Sequence, residues 1–411
     1  MNAQAKDADV IIVGGGLNGP AAALALAQGG LRVLVLDAAP TETRADPEFD
    51  GRAYNIALAG KRMFEALDLW PAVADQAQPV WDIVVTDGRR GESPSPLFLH
   101  FDHRELDEGA GGWMIEDRHL RPALIAAMEA SPLITQRAPV RVVSHSGTGH
   151  AAEVVLEDGE VLRASVIVAC DGRDSPIARR EGIRRVGWSY GQTGLVCAVA
   201  HEKPHNGVAY EHFLPAGPFA ILPLTGNRSS LVWTETDAEA KRIAGLGDDA
   251  YLAEVAERFG DFLGGLTLEG KRWAYPLKLS LAQDWVAPRA ALLGDAAHAV
   301  HPIAGQGLNL GLRDAAALAE VLVDAKRAGE DIGTDLVLRR YESARRFDAT
   351  ALALAMDGLN RLFSNDLPLL RPLRDAGLAL AGAFAPARRM FMREAAGLSA
   401  HAPRLMEGRR L

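Results

Sequence analysis

Gly14-Gly15-Gly16-Leu17-Asn18-Gly19 constrains this chain more than any other stretch, because it joins a short apolar run to an alanine-rich segment. Val10-Ile11-Ile12-Val13 is apolar and β-branched, as a strand buried on both faces of a parallel sheet must be. Pro20 to Gln28 is rich in alanine and leucine and stops at Gly29-Gly30, which predicts a helix with a glycine terminator. Arg32 to Leu36 predicts a second strand ending at Asp37, completing a strand–helix–strand unit of about 30 residues, the size of a right-handed crossover. Within that unit Gly14 permits the tight turn, Gly16 lets backbone approach a pyrophosphate, and Gly19 allows close helix–strand packing. Leu17 and Asn18 lead into the helix, whose unpaired N–H groups and dipole favour phosphate. Asp37, 18 positions after Gly19, can accept hydrogen bonds from ribose hydroxyls. The unit predicts dinucleotide binding, with FAD and NAD both open at this point.

A second glycine-rich turn separates them. Ala290 to Leu293 predicts a strand running into Gly294-Asp295-Ala296-Ala297-His298, and His301-Pro302-Ile303-Ala304-Gly305-Gln306-Gly307-Leu308-Asn309 opens a helix that continues through Asp314. Asp295 is suited to a ribityl hydroxyl. The N–H groups from Gly305 to Asn309 are suited to the electron-rich edge of an isoalloxazine, where negative charge collects on reduction.

Elsewhere helices are expected at 59–69 and 118–130, and strands at 83–87, 96–101 and 165–169. A meander is expected over 140–163, broken by Gly147, Gly149 and Asp158-Gly159. From Gly187 to Glu235, strand-like segments alternate with Pro, Gly and Asn, which predicts an inserted antiparallel sheet. Helical pattern dominates from Leu308 onward. The expected fold is α/β (α+β overall). It comprises a discontinuous Rossmann-like FAD-binding domain (1–80, 101–185 and 272–330), an inserted antiparallel-sheet domain (81–100 and 186–271) and a C-terminal helical region (331–411).

Composition removes other classes. The 411 residues carry a net charge of −9, which argues against bulk nucleic-acid binding. Two cysteines, Cys170 and Cys197, exclude a disulfide framework and fit a reducing cytoplasm. Met1 to Asp9 lacks the apolar core of a signal peptide, and no apolar run is long enough to span a membrane. From Arg361 to Leu411, nine Arg face four Asp and Glu, so this segment carries +5 and the remainder −14. A solvated helical tail and an amphipathic surface meeting a membrane or a partner both fit that contrast. The expected location is therefore cytoplasmic, with peripheral contact at the inner face of the cytoplasmic membrane as the sharper version. His298 and His301 sit three apart without a suitably spaced third ligand, so no metal is expected. Gly-x-Ser-x-Gly is absent.

His301 to Asp314 resembles the signature of the ubiquinone-biosynthesis flavin hydroxylases, a branch of the FAD-dependent aromatic monooxygenases of the para-hydroxybenzoate-hydroxylase type. The resemblance covers nearly the whole chain. It includes the first glycine motif, Gly51-Arg52, Arg118-His119-Leu120, and Cys170-Asp171-Gly172-Arg173-Asp174-Ser175-Pro176, which is similar to the family's Asp-Gly motif for FAD and pyridine nucleotide. Ala178 stands where that motif often has arginine, and Cys170 where alanine is more usual. The resemblance implies FAD contacts at Gly14, Gly16, Leu17, Asn18, Gly19, Asp37, Arg52, Arg118, Asp171, Gly294 and Asp295. It places Gly305, Gln306, Gly307, Leu308 and Asn309 against the flavin ring, with Pro302 and Gly305 beside the reacting centre.

It further implies that the antiparallel sheet covers one flavin face and forms the substrate pocket. There, alternation puts Tyr210 and His212 on one strand face and Glu211 and Phe213 on the other. His212 is the candidate for positioning or deprotonating a phenol. The implied reaction hydroxylates the ring of a polyprenylated phenol in ubiquinone biosynthesis, with NADH or NADPH reducing FAD and O2 reacting through a C4a-hydroperoxide. A polyprenyl tail needs an apolar tunnel or membrane access, and a ubiquinone-biosynthesis complex is the implied partner. The alternatives are a related hydroxylase of a soluble phenol or secondary metabolite, a prenyl reductase, and a non-catalytic flavoprotein subunit. A reductase would not consume O2 stoichiometrically, and a scaffold would neither oxidise NAD(P)H nor hydroxylate.

Overall fold

Among the described residues, five parallel strands end at one level, and this edge organises the molecule. In the computed structural model, Val10–Val13 pairs in parallel with Val33–Leu36 on one side and Val166–Ala169 on the other. Ala290–Leu292 continues beyond Val166–Ala169, and Ile134–Arg137 beyond Val33–Leu36. Val13, Leu36, Ala169 and Leu292 stand in register at their carboxyl ends, so Gly14, Asp37, Cys170 and Leu293 leave the sheet side by side. These strands are buried on both faces, and their β-branched and leucine side chains fill the core. The alanines of the helix Asn18–Gln28 let it lie close to the helix Gln306–Arg327; a Cβ on Gly29 would meet Val323 at 2.1 Å.

The structure describes residues 6–90, 98–106, 108–365, 374, 376, 377, 380, 382, 384–398 and 401–411. Pro96 and Leu97 of the expected strand 96–101, and much of the segment 366–383, lie outside the described residues. The strand of that region runs Phe98–Asp102.

The inserted sheet has eight strands. Leu266–Ala282, Arg185–His201, Arg228–Thr236, Gly217–Leu224 and Val208–Leu214 follow one another antiparallel, with His298–Ala299 at one edge and Asp82–Asp87 and Phe98–Asp102 at the other. Leu266–Ala282 pairs with Arg185–His201 on both sides of residue 272, so the sheet continues past the boundary expected there. Helices Asp237–Ala244 and Asp248–Phe259, unforeseen in the sequence, cover one face around Phe219, Trp233, Tyr251 and Phe259. The opposite face turns toward the flavin-domain side, where Phe213 packs with Ile303 and Phe363, and Ala209 with Met114.

The C-terminal helix Asp335–Phe363 joins the two sheets. Tyr341 donates to the Leu292 carbonyl at 2.9 Å, and Trp188 of the inserted sheet donates to Asp357 at 3.0 Å.

Candidate active site

The first glycine loop shows two kinds of constraint. Gly14 has φ +113°, and a Cβ there would lie 2.2 Å from the Cys170 carbonyl oxygen; a Cβ on Gly19 would lie 2.0 Å from the Gly14 oxygen. Gly14 and Gly19 are therefore required by the fold itself. Gly16 is different, because a Cβ there would meet nothing within 4 Å. Such an open side is what close approach of a pyrophosphate requires.

Asp37 accepts from the Gly15 N–H and from the Ala39 N–H at 2.7 Å. Buried Arg44, which sequence reasoning missed, donates to the Gly15 carbonyl at 2.9 Å and lies 3.8 Å from Asp37. Only its place in the short helix Thr41–Arg44 after the second strand marked it. Asp171 emerges beside Gly14, and its Oδ2 accepts from the Ile177 N–H at 3.2 Å. Burial raises its carboxyl above the ordinary range, against the Ser175 hydroxyl that favours the charged form. Asp171 Oδ1 and Asn18 Oδ1 are buried without a hydrogen-bond partner among the described residues. These oxygens are suited to ligand donors.

At the second turn, Gly294 (φ +63°) and Gly311 both press against Asn18, with built Cβ positions 2.5 and 2.2 Å from its Nδ2. Asn18 thus locks the two glycine motifs together. Gly305 adopts a left-handed conformation (φ +61°) and starts the helix Gln306–Arg327, while a Cβ on Gly307 would meet open space. Asn309 is committed to the framework: its Oδ1 accepts from the Ala57 N–H and its Nδ2 donates to the Asn55 and Gly305 carbonyls. Gln306 donates to the Ala395 carbonyl at 3.3 Å, and Leu308 packs at the core edge. Asp295 is half-buried, and its carboxylate makes no hydrogen bond among the described residues.

Asp314, fully buried, holds this turn. Its carboxylate accepts from the Gly294 N–H at 3.2 Å, from His298 at 2.6 Å and from Arg345 at 3.0 Å. Burial alone would raise its pKa, but His298 and Arg345 overrule it and hold the carboxyl below the ordinary range. His301 is buried against the Tyr190 ring, its Nδ1 accepting from the Ile303 N–H at 3.3 Å, and burial lowers its pKa to about 4. It is neutral at physiological pH.

Arg52 and Arg118 sit in ion-pair clusters. Arg52 bonds Asp50 at 2.7 Å and Asp117 at 3.1 Å beneath the Trp273 ring. Arg118 pairs with Glu116 at 2.8 Å over Phe49, beside Arg228.

His212 is placed away from the candidate pocket. Its ring stacks on Tyr210 and its Nδ1 bonds Thr86 at 2.6 Å, on the sheet face that Tyr210 shares with the covering helices. Burial lowers its pKa to about 4. Strand alternation sends Glu211, not His212, toward Ile303, so His212 stands on the face turned from that loop.

The two glycine turns, the orphaned oxygens of Asn18 and Asp171, and the open sides of Gly16 and Gly307 fit FAD laid along the strand ends. A model of the FAD binding domain family matches residues 7–354. The chain is 44% identical over 406 residues to "Ubiquinone hydroxylase UbiL" of Rhodospirillum rubrum, covering 98% of this chain and 93% of that protein. It is 36% identical to "3-demethoxyubiquinol 3-hydroxylase" of Escherichia coli K12, covering 95% and 98%. Among solved structures, p-nitrophenol 4-monooxygenase PnpA from Pseudomonas putida DLL-E4 shares the fold, with TM-score 0.78, 20% identity and coverage of 98% and 99%. The chain thus belongs to the FAD binding domain family, within its branch of ubiquinone-biosynthesis hydroxylases, and is an FAD-dependent aromatic monooxygenase.

Proposed function

We propose that the protein hydroxylates the aromatic ring of a polyprenylated phenol on the route to ubiquinone, with NADH or NADPH as reductant and O2 as oxygen donor. One observation carries this reading: Ile303, just before the Gly305–Gly307 turn, packs with Phe213 of the inner sheet face, whose neighbours Ala209, Ala220 and Val232 suit an apolar ring. The 44% and 36% identical relatives, named for ubiquinone-type substrates, support the substrate class. Bound FAD supplies activated oxygen, and the protein's own residues bind it and shape what surrounds it. Gly14, Gly16, Leu17, Asn18, Gly19 and Asp37 hold the adenosine and pyrophosphate half, with Arg44 as the nearest cation. Asp171, Gly294 and Asp295 hold the ribityl chain. Gly305 to Asn309, at the N-terminal end of a 22-residue helix, present N–H groups and a positive dipole to the ring edge. Pro302 and Ile303 wall the reacting side. Arg52 and Arg118 frame the outer rim through their acid partners.

Peripheral membrane contact and membership of a biosynthetic complex belong to the same reading. Part of the expected cationic tail is paired with acids of the body: Arg374 with Asp87, Arg388 with Glu105, Arg404 with Asp324, and Arg410 with Asp68. What supports a lipid-facing surface instead is exposed apolar area at Leu380, Phe384, Met390 and Phe391, with Phe98 nearby. No helix among the described residues is long and apolar enough to cross a membrane.

Mass spectrometry of quinone intermediates in a deletion strain tests the assignment. The expected result is an accumulated prenylphenol that lacks one ring hydroxyl. Normal ubiquinone with no such intermediate would contradict it.

A further inference from the structure

Glu211 is a carboxylate that nothing in the fold explains. It lies on the strand Val208–Leu214 between Ala209 and Phe213, whose side chains point to the same face. Ala209 packs with Met114, which pairs across its strand with Asn55, and the Asn55 carbonyl is bonded by Asn309. Phe213 packs with Ile303 of the Pro302–Gly305 turn. Glu211 therefore stands between Phe213, which packs on the Ile303 turn, and Ala209, which reaches Asn309 only through Met114 and Asn55. Its cross-strand partners are Val85 and Ala220, and beyond Ala220 lies Val232. The carboxylate is half-buried and makes no hydrogen bond or ion pair among the described residues.

Other ionisable groups on the surrounding elements are engaged elsewhere. Asp87 faces Arg374 at 3.0 Å, Asp357 faces Arg361 at 2.9 Å, and Arg228 lies between Glu116 and Glu269. His301 accepts from its own turn. Burial alone pushes the Glu211 carboxyl up to about 7, with no charged neighbour opposing it. A carboxylate kept in an apolar pocket without a partner is costly unless a ligand completes it.

We infer that Glu211 binds the hydroxyl of the phenol and accepts its proton as the ring is hydroxylated. The inference rests on the phenol-hydroxylating reading above. The O–H bond of the phenol breaks, its proton passes to a Glu211 oxygen, and the electron pair stays on the phenol oxygen, enriching the ortho and para carbons. After the ring carbon gains its hydroxyl, that carbon releases its hydrogen to water as a proton. Glu211 then returns the held proton to the phenol oxygen and ends as it began.

The holoenzyme and its Glu211→Gln variant test this, with phenol binding read from the flavin absorbance before any reductant is added. In the wild type, affinity for a prenylated phenol should tighten as pH rises through about 7, since the ionised carboxylate is the stronger acceptor. The O-methyl ether of the same compound should show no such dependence. Glu211→Gln should keep its flavin and melting temperature, lose the pH dependence, and hydroxylate about 100-fold more slowly, the size of a lost general base. Identical pH curves for phenol and ether in the wild type, or a variant that keeps the wild-type pH curve and rate, would overturn the assignment of Glu211. A wild type that neither binds nor hydroxylates prenylated phenols would remove the phenol reading and this inference together.

Discussion

Gly14 and Gly16 stand two residues apart and answer to different demands. A side chain at Gly14 collides with Cys170 backbone and must adopt positive φ, whereas one at Gly16 enters space empty of protein. Gly14→Val should therefore fail to fold. Gly16→Val should keep the flavin-free melting temperature yet bind FAD at least about tenfold more weakly, or ~1.4 kcal/mol. Calorimetric titration with FAD reads the difference, and equal affinity would show that the pyrophosphate does not pass over Gly16. Asp314 makes the complementary case, a charge serving the fold and the cofactor at once. Asp314→Asn removes the carboxylate that Arg345 and His298 share, leaving Arg345 with Asp348 alone, and should cost about 3 kcal/mol in chemical denaturation, with loss of bound flavin. The same carboxyl sets an acid limit. Its folded pKa lies below its unfolded value of about 3.9, so its stabilisation is complete above that pH and fades as pH falls through the folded value. A wild-type unfolding free energy that did not decline there, or an Asp314→Asn variant that declined equally, would contradict this.

At the scale of elements, what was legible in the sequence was local. The helix Asn18–Gln28, the strands beside it and the turn at Gly305 follow from periodicity and glycine placement within short windows. What was not legible depended on a partner from afar. Alternation separates Tyr210 and His212 from Glu211 and Phe213, but which set meets the cradle depends on the helices Asp237–Ala244 and Asp248–Phe259 covering the other face. His212, the residue singled out from the sequence, stands on the helix-covered face for that reason. Asp314 was read as part of a signature, while its partner Arg345 comes 31 residues later on another helix. The C-terminal turn Arg404–Glu407 shows the same limit: it buries Leu405 and Met406 in the main core, while Arg404 is held by Asp324. Removing residues 404–411 should lower stability by roughly 3–6 kcal/mol, from two side chains at about 1.5–3 kcal/mol each. An unchanged denaturation midpoint would mean that this turn is not part of the folded core.

For the molecule as a whole, net charge is a poor guide to surface. Arg361, Arg374, Arg388, Arg404 and Arg410 of the segment that sums to +5 pair with acids of the body, and apolar exposure at Phe384 and Phe391 is the better sign of an outside contact. Replacing both with glutamate should leave flavin content intact and halve, at least, sedimentation with anionic lipid vesicles. Unaltered sedimentation would place the contact elsewhere. The central claim is that two glycine turns and an inner sheet face hold FAD and a phenol together for transfer of oxygen to the ring. Its most direct test is turnover of the purified holoenzyme with NAD(P)H and a prenylated phenol under 18O2. One labelled oxygen is expected in the new ring hydroxyl of each product molecule; product whose new oxygen comes from water, or substrate reduced without O2 uptake, would contradict oxygen transfer to the ring.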